Sequence, residues 1–389
     1  MSFTYMNILI IAGIFPPDIG GPANFLPRFA EAMVLKNHSI SVLCFTESNQ
    51  MDAAKSYDLT LNYFVHRIIR NRGFLVRELL TIYFGVKMAF KSDVIFVNGN
   101  DFKALIIGII TGKRRVHKIV GDTAWERAQN RKWFLGTIDE FQLIRKNIFF
   151  DLLRWLRAYP LRTSECIITP SFYLKKVVIG WGINEKKVNV IYNSFSPLDN
   201  AKNYPALDTR YKWMCTVCRL VPWKGVDTLI RLLLEFKDLG LVIVGDGPLE
   251  NDLKKLANNI NVADRVHFAG MQPRRMVADF VSAAHFFILN SSYEGLPHVV
   301  LEAMSLRKLV VASAVGGTVE VIAHGKTGFL FTYNDEESIK TYVRKSLNED
   351  NTMIVENGYN WVNTNFSFGK MINEIESVFL KLIESKIAK

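Results

Sequence analysis

Apolar residues fall into short, nearly unbroken runs, separated by longer stretches in which they recur every three or four positions. Asn7 to Ala12 (NILIIA) is the first such run. A loop, Gly13 to Pro22, leads from it into a helical pattern from about Asn24 to Lys36, and a second run, Ile40 to Thr46, follows. Continuous apolar strands joined by a helix describe a βαβ unit whose parallel sheet is covered on both faces. Further strands are expected at Asp93 to Asn98, Val116 to Val120, Cys166 to Thr169 and Val188 to Tyr192. They alternate with helical stretches, so the first half reads as doubly wound.

Between Asn193 and Tyr211 the chain turns irregular and polar, with Pro197 and Pro205, as an interdomain linker would. A second α/β series then begins, with strands expected at Trp213 to Arg219, Leu241 to Val244, Val266 to Ala269, Phe286 to Asn290, Leu309 to Ala312 and Gly328 to Phe331. The expected class is α/β, with two Rossmann-like doubly wound domains facing across a cleft at the carboxyl ends of their strands. The domains are placed at 1–200 and 201–369, with a last helix over 370–389 that crosses back to the first. A length of 389 residues agrees with two cores rather than one.

Composition changes this picture little. The apolar opening begins only at Met6 and runs into Pro16 and Pro17, so it reads as a first buried strand of a cytoplasmic protein rather than a signal peptide. Ala104 to Ile110 falls far short of the roughly 20 residues a membrane span needs. Cys215 and Cys218 match CxxC, but three residues apart on a strand they point to opposite faces and cannot share a metal. Charge adds more. Residues 1–200 carry 26 Lys and Arg against 16 Asp and Glu, whereas residues 201–389 carry 22 against 21. A basic half joined to a neutral one suggests an anionic partner such as a membrane surface or nucleic acid.

The most informative chemistry lies in Ser291 to Ser305, SSYEGLPHVVLEAMS. A strand ends at Asn290, and Pro297 suits the first turn of a helix. Glu294 lies on the loop before that helix and Glu302 inside it. Backbone N–H groups of Leu296, His298 and Val299 would point at a ligand at the helix start, a position suited to phosphate. Carboxylates are poor phosphate partners, so Glu302 is better used on ribose hydroxyls and Glu294 on those of a sugar. His298 either touches the donor or is a spacer.

Glu294 and Glu302 in EGLPHVVLE match the E-x7-E motif of the family 4 glycosyltransferases of GT-B fold, and further pieces fall in that family's order. IFPPDIGGPA resembles its glycine loop, with Gly20 and Gly21 able to approach a diphosphate. CRLVPWKGVD resembles the motif whose Arg219 and Lys224 would hold the donor diphosphate. VGDGPLE and SAVGGTVEVI resemble the remaining signatures. The resemblance covers essentially the whole chain. It implies donor contacts from Gly20, Gly21, Arg219, Lys224, Gly295, Leu296, Pro297, His298 and Glu302, with catalytic weight on Glu294, Arg219, Lys224 and Asp122. Two fixed cations stabilise the charge that develops on a departing nucleoside diphosphate, so no metal and no cofactor beyond a UDP- or GDP-sugar is expected.

VGDTAWERA, Val120 to Ala128, departs from the family, which often places a histidine here. Asp122 does that work, contacts the acceptor or caps the following helix. His117 packs or faces solvent, and Glu320, after Gly316 and Gly317, caps the next helix or binds ligand. The resemblance further implies transfer with retention, to a hydroxyl of a glycan or lipid-linked acceptor.

Rival classes fit less well. A dinucleotide-dependent oxidoreductase would need a tight GxGxxG turn where Gly13 is followed by Pro16, Pro17, Gly20 and Gly21. A glycoside hydrolase has no use for a phosphate site beside its carboxylates. Basic residues are interleaved with apolar stretches rather than set on a nucleic-acid module, so no nucleic acid is expected. A non-catalytic sugar sensor with this fold stays open. Gly73 to Phe90 and Phe141 to Arg157 read as apolar helices edged by Arg67, Arg70, Arg72, Arg77, Arg145, Lys146, Arg154 and Arg157. They are core helices or a basic membrane-surface patch, the latter making this a peripheral enzyme at the inner face of the cell membrane.

Overall fold

The computed structural model describes residues 5–18, 20–144, 147–195 and 207–387. It divides into two units, one formed by 1–170, 175–191 and 372–389, the other by 171–174 and 192–371. Each is built on a parallel sheet. Most of the expected linker, 196–206, lies outside the described residues.

In the first unit the described strands are β1 (Asn7–Ala12), β2 (Ser39–Thr46), β3 (Phe64–Ile69), β4 (Val94–Asn98), β5 (Arg114–Lys118), β6 (Cys166–Thr169) and β7 (Val188–Val190). Their order is β3-β2-β1-β4-β5-β6-β7, so direction reverses between β1 and β4, the position at which such sheets leave room for ligands. Every pairing is parallel, with Ile10 beside Val42 on one side and Phe96 on the other. Leu9, Ile11, Leu43, Ile95, Val97, Ala104 and Ile107 form a core between sheet and helices. On the opposite face, Phe379 of the Phe368–Ile387 helix packs edge-on against Phe29 and Phe96. Glu376 of that helix accepts from Lys36 at 2.7 Å and pairs with His38 at 2.9 Å.

The second unit carries β8 (Lys212–Val217), β9 (Leu239–Val244), β10 (Val266–Gly270), β11 (Phe286–Leu289), β12 (Leu309–Ser313) and β13 (Phe329–Phe331). The order is β10-β9-β8-β11-β12-β13, again parallel, with the reversal between β8 and β11. Successive residues of each strand feed opposite cores. Met214, Leu241, Ile243, Ile288 and Val311 lie in one. Cys215, Val242, Val244, Phe287 and Val310 lie in the other. Two buried faces explain why these strands read as unbroken apolar runs. The α/β class with two doubly wound sheets is therefore observed.

Two elements differ from expectation. Strand β3 carries His66 and Arg67 in its middle and lies at the sheet edge, so its polar residues hid it. The single helix expected over Phe141 to Arg157 is two helices, Ile138–Leu143 and Ile148–Arg162. Thr137 and Glu140 form a capping box at the first. Asn147 starts the second by accepting from the N–H groups of Phe149 and Phe150. Arg145 and Lys146 lie outside the described residues.

Candidate active site

Loops that leave the carboxyl ends of β8, β9, β11 and β12 converge in the second unit, and glycine sets how closely they pass. A Cβ on Gly245 would lie 2.0 Å from the Cys218 carbonyl oxygen, and one on Gly247 would lie 2.5 Å from that of Leu220. Leu220 N–H donates to the Asp246 carbonyl at 2.7 Å. The GDG of VGDGPLE thus clamps the segment that carries Arg219. Arg219 itself is exposed.

Lys224 ends a short 3-10 turn, Pro222–Lys224, that stops at Gly225 with φ of 51°. A side chain at Gly225 would strike Asn290, whose amide donates to the Gly225 carbonyl at 3.0 Å and to Asn334 Oδ1 at 2.7 Å. Ser292 N–H donates to the Trp223 carbonyl at 2.9 Å. Fully buried Asn290 therefore ties the Lys224 turn to the loop after β11. On that loop the Glu294 carboxylate accepts from Lys224 Nζ at 2.5 Å. Both side chains are largely shielded, at 16% and 11% exposure, so this ion pair escapes most solvent screening.

Glu294 is held from its other side by the loop after β12. Gly317 N–H donates to the Glu294 carbonyl at 2.8 Å. A Cβ on Gly316 would lie 2.1 Å from that oxygen, and one on Gly317 2.2 Å from the Gly295 carbonyl. The Gly-Gly pair exists because two backbones touch there. Gly295, Leu296 and Pro297 are buried as they lead into the His298–Ser305 helix. The first N–H groups of that helix have no partner within it. His298 is exposed, its Nε2 3.2 Å from Asn193 Nδ2. Glu302, the fifth helical residue, accepts from Arg274 Nη2 at 2.6 Å. Burial raises its pKa, and Arg274 opposes that rise.

Other candidates take different places. Gly20 and Gly21 sit at the start of the Gly21–Leu35 helix in the first unit. Asp122, with no exposed surface, accepts from the N–H groups of Ala124 and Trp125 as helix cap, from Gln142 at 2.9 Å, and from Arg157. The Arg157 guanidinium lies 3.9 Å over the Trp181 ring. Of the three uses open to Asp122, the structure displays the cap, reinforced by a buried ion pair, and both oxygens are occupied. His117 is buried, with Nδ1 2.7 Å from Asp101. Glu320 accepts from Phe172 and Tyr173 N–H groups at 2.9 and 2.8 Å, so it caps the helix that begins at Phe172 rather than the next helix along the chain.

Sequence reasoning missed Arg274, Asn290 and Asn193, because each acts on a partner far along the chain. It also passed over Glu126, on the first turn of the helix that Asp122 caps, whose pKa is pushed up to about 7 by the protein packed around it and by Asp122 although its surface is exposed. The two cysteines do not share a strand as expected, although they pack into opposite cores. Cys215 lies in β8, Cys218 just beyond it, and burial raises both thiols.

Known proteins resemble most of this chain. The family described as Glycosyltransferase Family 4 matches residues 19–197, and that described as Glycosyl transferases group 1 matches residues 199–361. An uncharacterized glycosyltransferase of Methanocaldococcus jannaschii is 24% identical, over 97% of this chain and 99% of its own. A GDP-mannose-dependent alpha-(1-6)-phosphatidylinositol monomannoside mannosyltransferase of Mycolicibacterium smegmatis is 26% identical, over 86% and 88%. Among solved structures, the Anabaena protein HepE in complex with UDP and glucose superposes with a TM-score of 0.77 at 19% identity, over 97% of this chain and 100% of that one.

Proposed function

This chain belongs to the family 4 glycosyltransferases of GT-B fold, and we propose that it moves a sugar from a UDP- or GDP-sugar to a hydroxyl of a glycan or lipid-linked acceptor, with retention and without a metal. The observation that carries this reading is the shielded Lys224–Glu294 pair in front of the His298–Ser305 helix. It sets a cation and a hydrogen-bond acceptor side by side at a helix N-terminus, as a sugar diphosphate requires.

In this reading Arg219 and Lys224 neutralise the charge that gathers on the diphosphate as the sugar–oxygen bond breaks. Glu294 binds sugar hydroxyls and holds Lys224 in place between turnovers. Glu302, steered by Arg274, takes the ribose hydroxyls. Gly295, Leu296, Pro297 and His298 line the start of the helix beside the donor. The leaving phosphate accepts the acceptor's proton on the face it departs from, which gives retention with no nucleophilic carboxylate. Asp122 has no step of its own and fixes the helix it caps.

Support for the nucleotide comes from the similar proteins, one named for GDP-mannose and one solved with UDP. The basic excess of residues 1–200 supports an acceptor presented at an anionic membrane. Among the described residues no helix is long and apolar enough to cross one. The test is incubation with a panel of nucleotide sugars, reading nucleoside diphosphate release and thermal stabilisation, with and without a chelator. The reading requires that one nucleoside diphosphate stabilise the fold and that chelation leave turnover unchanged. Absence of stabilisation by every nucleotide would sink it.

A further inference from the structure

We propose that the outward faces of three helices of the first unit, Phe74–Phe90, Asp101–Thr111 and Ile148–Arg162, form one apolar surface that inserts into an anionic bilayer. It deepens the lipid-linked-acceptor reading and rests on it for its purpose.

The three helices lie side by side. Gly85 of the first meets Ile107 of the second so closely that a Cβ would come within 2.3 Å of it. Trp155 and Tyr159 of the third have ring centroids 6.4 and 6.2 Å from that of Phe102 in the second. The inner faces of the first two are spent on the sheet, where Ala89, Ala104 and Ile107 pack with Leu9, Leu43 and Ile95, and the third buries Phe150, Ala158 and Leu161. A helix on the surface of a soluble protein turns polar residues outward. These do not. Leu75, Leu79 and Tyr83 repeat every four residues along the first helix and are 73%, 68% and 61% exposed. Ile109 is 71% exposed on the second, and Ile148 is 88% exposed at the start of the third. An apolar surface of this extent is a binding surface.

Charge identifies the occupant. The single acidic residue of the first helix, Glu78, is tied to Arg77 at 2.9 Å and Lys103 at 3.3 Å. That of the second, Asp101, is tied to His117. Asp151 of the third pairs with Arg154. Exposed Arg72, Lys87 and Lys91 lie at the ends and edges of the first helix. Apolar side chains bordered by cations, with neighbouring carboxylates internally paired, match an acyl boundary beneath anionic headgroups.

Apolar area, not charge, carries this attachment. Arg67 is bound to Asp58 at 2.7 Å, and Arg70 to Asp18 at 2.6 Å and Glu47 at 3.3 Å. The arginines most visible in the sequence are therefore held within the protein, and salt removes only part of the binding.

The test uses the full chain and vesicles of phosphatidylglycerol and phosphatidylethanolamine, with phosphatidylcholine vesicles for contrast, cosedimented at low and high salt. The wild type is expected to bind the anionic vesicles at both. L75Q/L79Q/I109Q should lower its partition at least about tenfold, while R72E/K87E lowers it only a few-fold and only at low salt. Thermal midpoint and nucleoside diphosphate binding of both variants should equal those of the wild type, because the altered residues are exposed and outside the donor loops. Absence of vesicle binding overturns the proposal. So does complete loss in salt with no effect of the apolar changes, which would describe a purely electrostatic contact. A wild-type dimer that the apolar changes dissociate would make the face an interface between copies, and overturns it too. Vesicle binding needs no donor, so it can fail while nucleotide release succeeds, and the reverse.

Discussion

The two sheets have the same architecture but spend their polar chemistry differently. At the carboxyl ends of the second sheet, backbones touch through glycine and leave charged groups within reach of solvent: Lys224 and Glu294 are paired yet still partly accessible. At the corresponding end of the first sheet, the charges turn inward: Asp122 has no exposed surface, and its partner Arg157 is 6% exposed. A similar topology thus serves a charged site in one unit, whereas in the other it anchors helices whose outer faces stay apolar. Position at a strand's carboxyl end therefore does not by itself make a residue functional; remaining exposure decides.

The largest effect that would separate the units is on stability. Asp122→Ala leaves Arg157 buried without its counter-ion and should cost about 3–5 kcal/mol in denaturant unfolding of the first unit. A loss below about 1 kcal/mol would mean the inward charges hold nothing. Lys224→Ala should do the converse, leaving the fold intact while lowering kcat about 100- to 1,000-fold, as loss of one preorganised charge contact does. Unchanged turnover with a verified donor would remove the site from the second unit.

Glycine offers a third, smaller contrast. Gly317→Ala pushes a methyl into the Gly295 carbonyl and should cost about 1–3 kcal/mol, with lower activity. Gly21→Ala meets nothing within 4 Å and should stay within about 0.5 kcal/mol. Equal losses would contradict the close backbone approach at Gly317.

The smallest effect concerns Glu126. Its folded pKa, about 7, lies above the unfolded value, so the folded state holds the proton more tightly. Its ionisation therefore works against folding, fully above about pH 7, and this burden lifts as pH falls toward the unfolded pKa. Glu126→Gln should raise stability by about 1 kcal/mol or less above neutrality, because the carboxylate remains partly solvated, and should have no effect near pH 4. A loss of stability above neutrality would show that the ionised carboxylate is needed.

Much of this was legible in the sequence because strands buried on both faces leave unbroken apolar runs. NILIIA and FFIL could be placed within a residue or two. Edge strand β3 was not legible, since FVHRII mixes faces. Glu294, Glu302, Arg219 and Lys224 were visible as candidates because they lie in short motifs. That Lys224 grips Glu294, or Arg274 grips Glu302, was not, since partners 70 and 28 residues apart leave no local spacing. The arginines near 70 illustrate the opposite failure. They looked like a free basic patch until Asp58, Asp18 and Glu47 were found against them.

The Phe368–Ile387 helix has a consequence for how the chain comes off the ribosome. Phe29 and Phe96 are translated early, but Phe379, which covers them, is translated only after the second sheet has been made. The second unit can close while the first still lacks part of its core, against the usual order in which N-terminal domains finish first. Nascent chains stalled before Ile372 should therefore expose those two phenylalanines, and offer a chaperone its binding site during that interval.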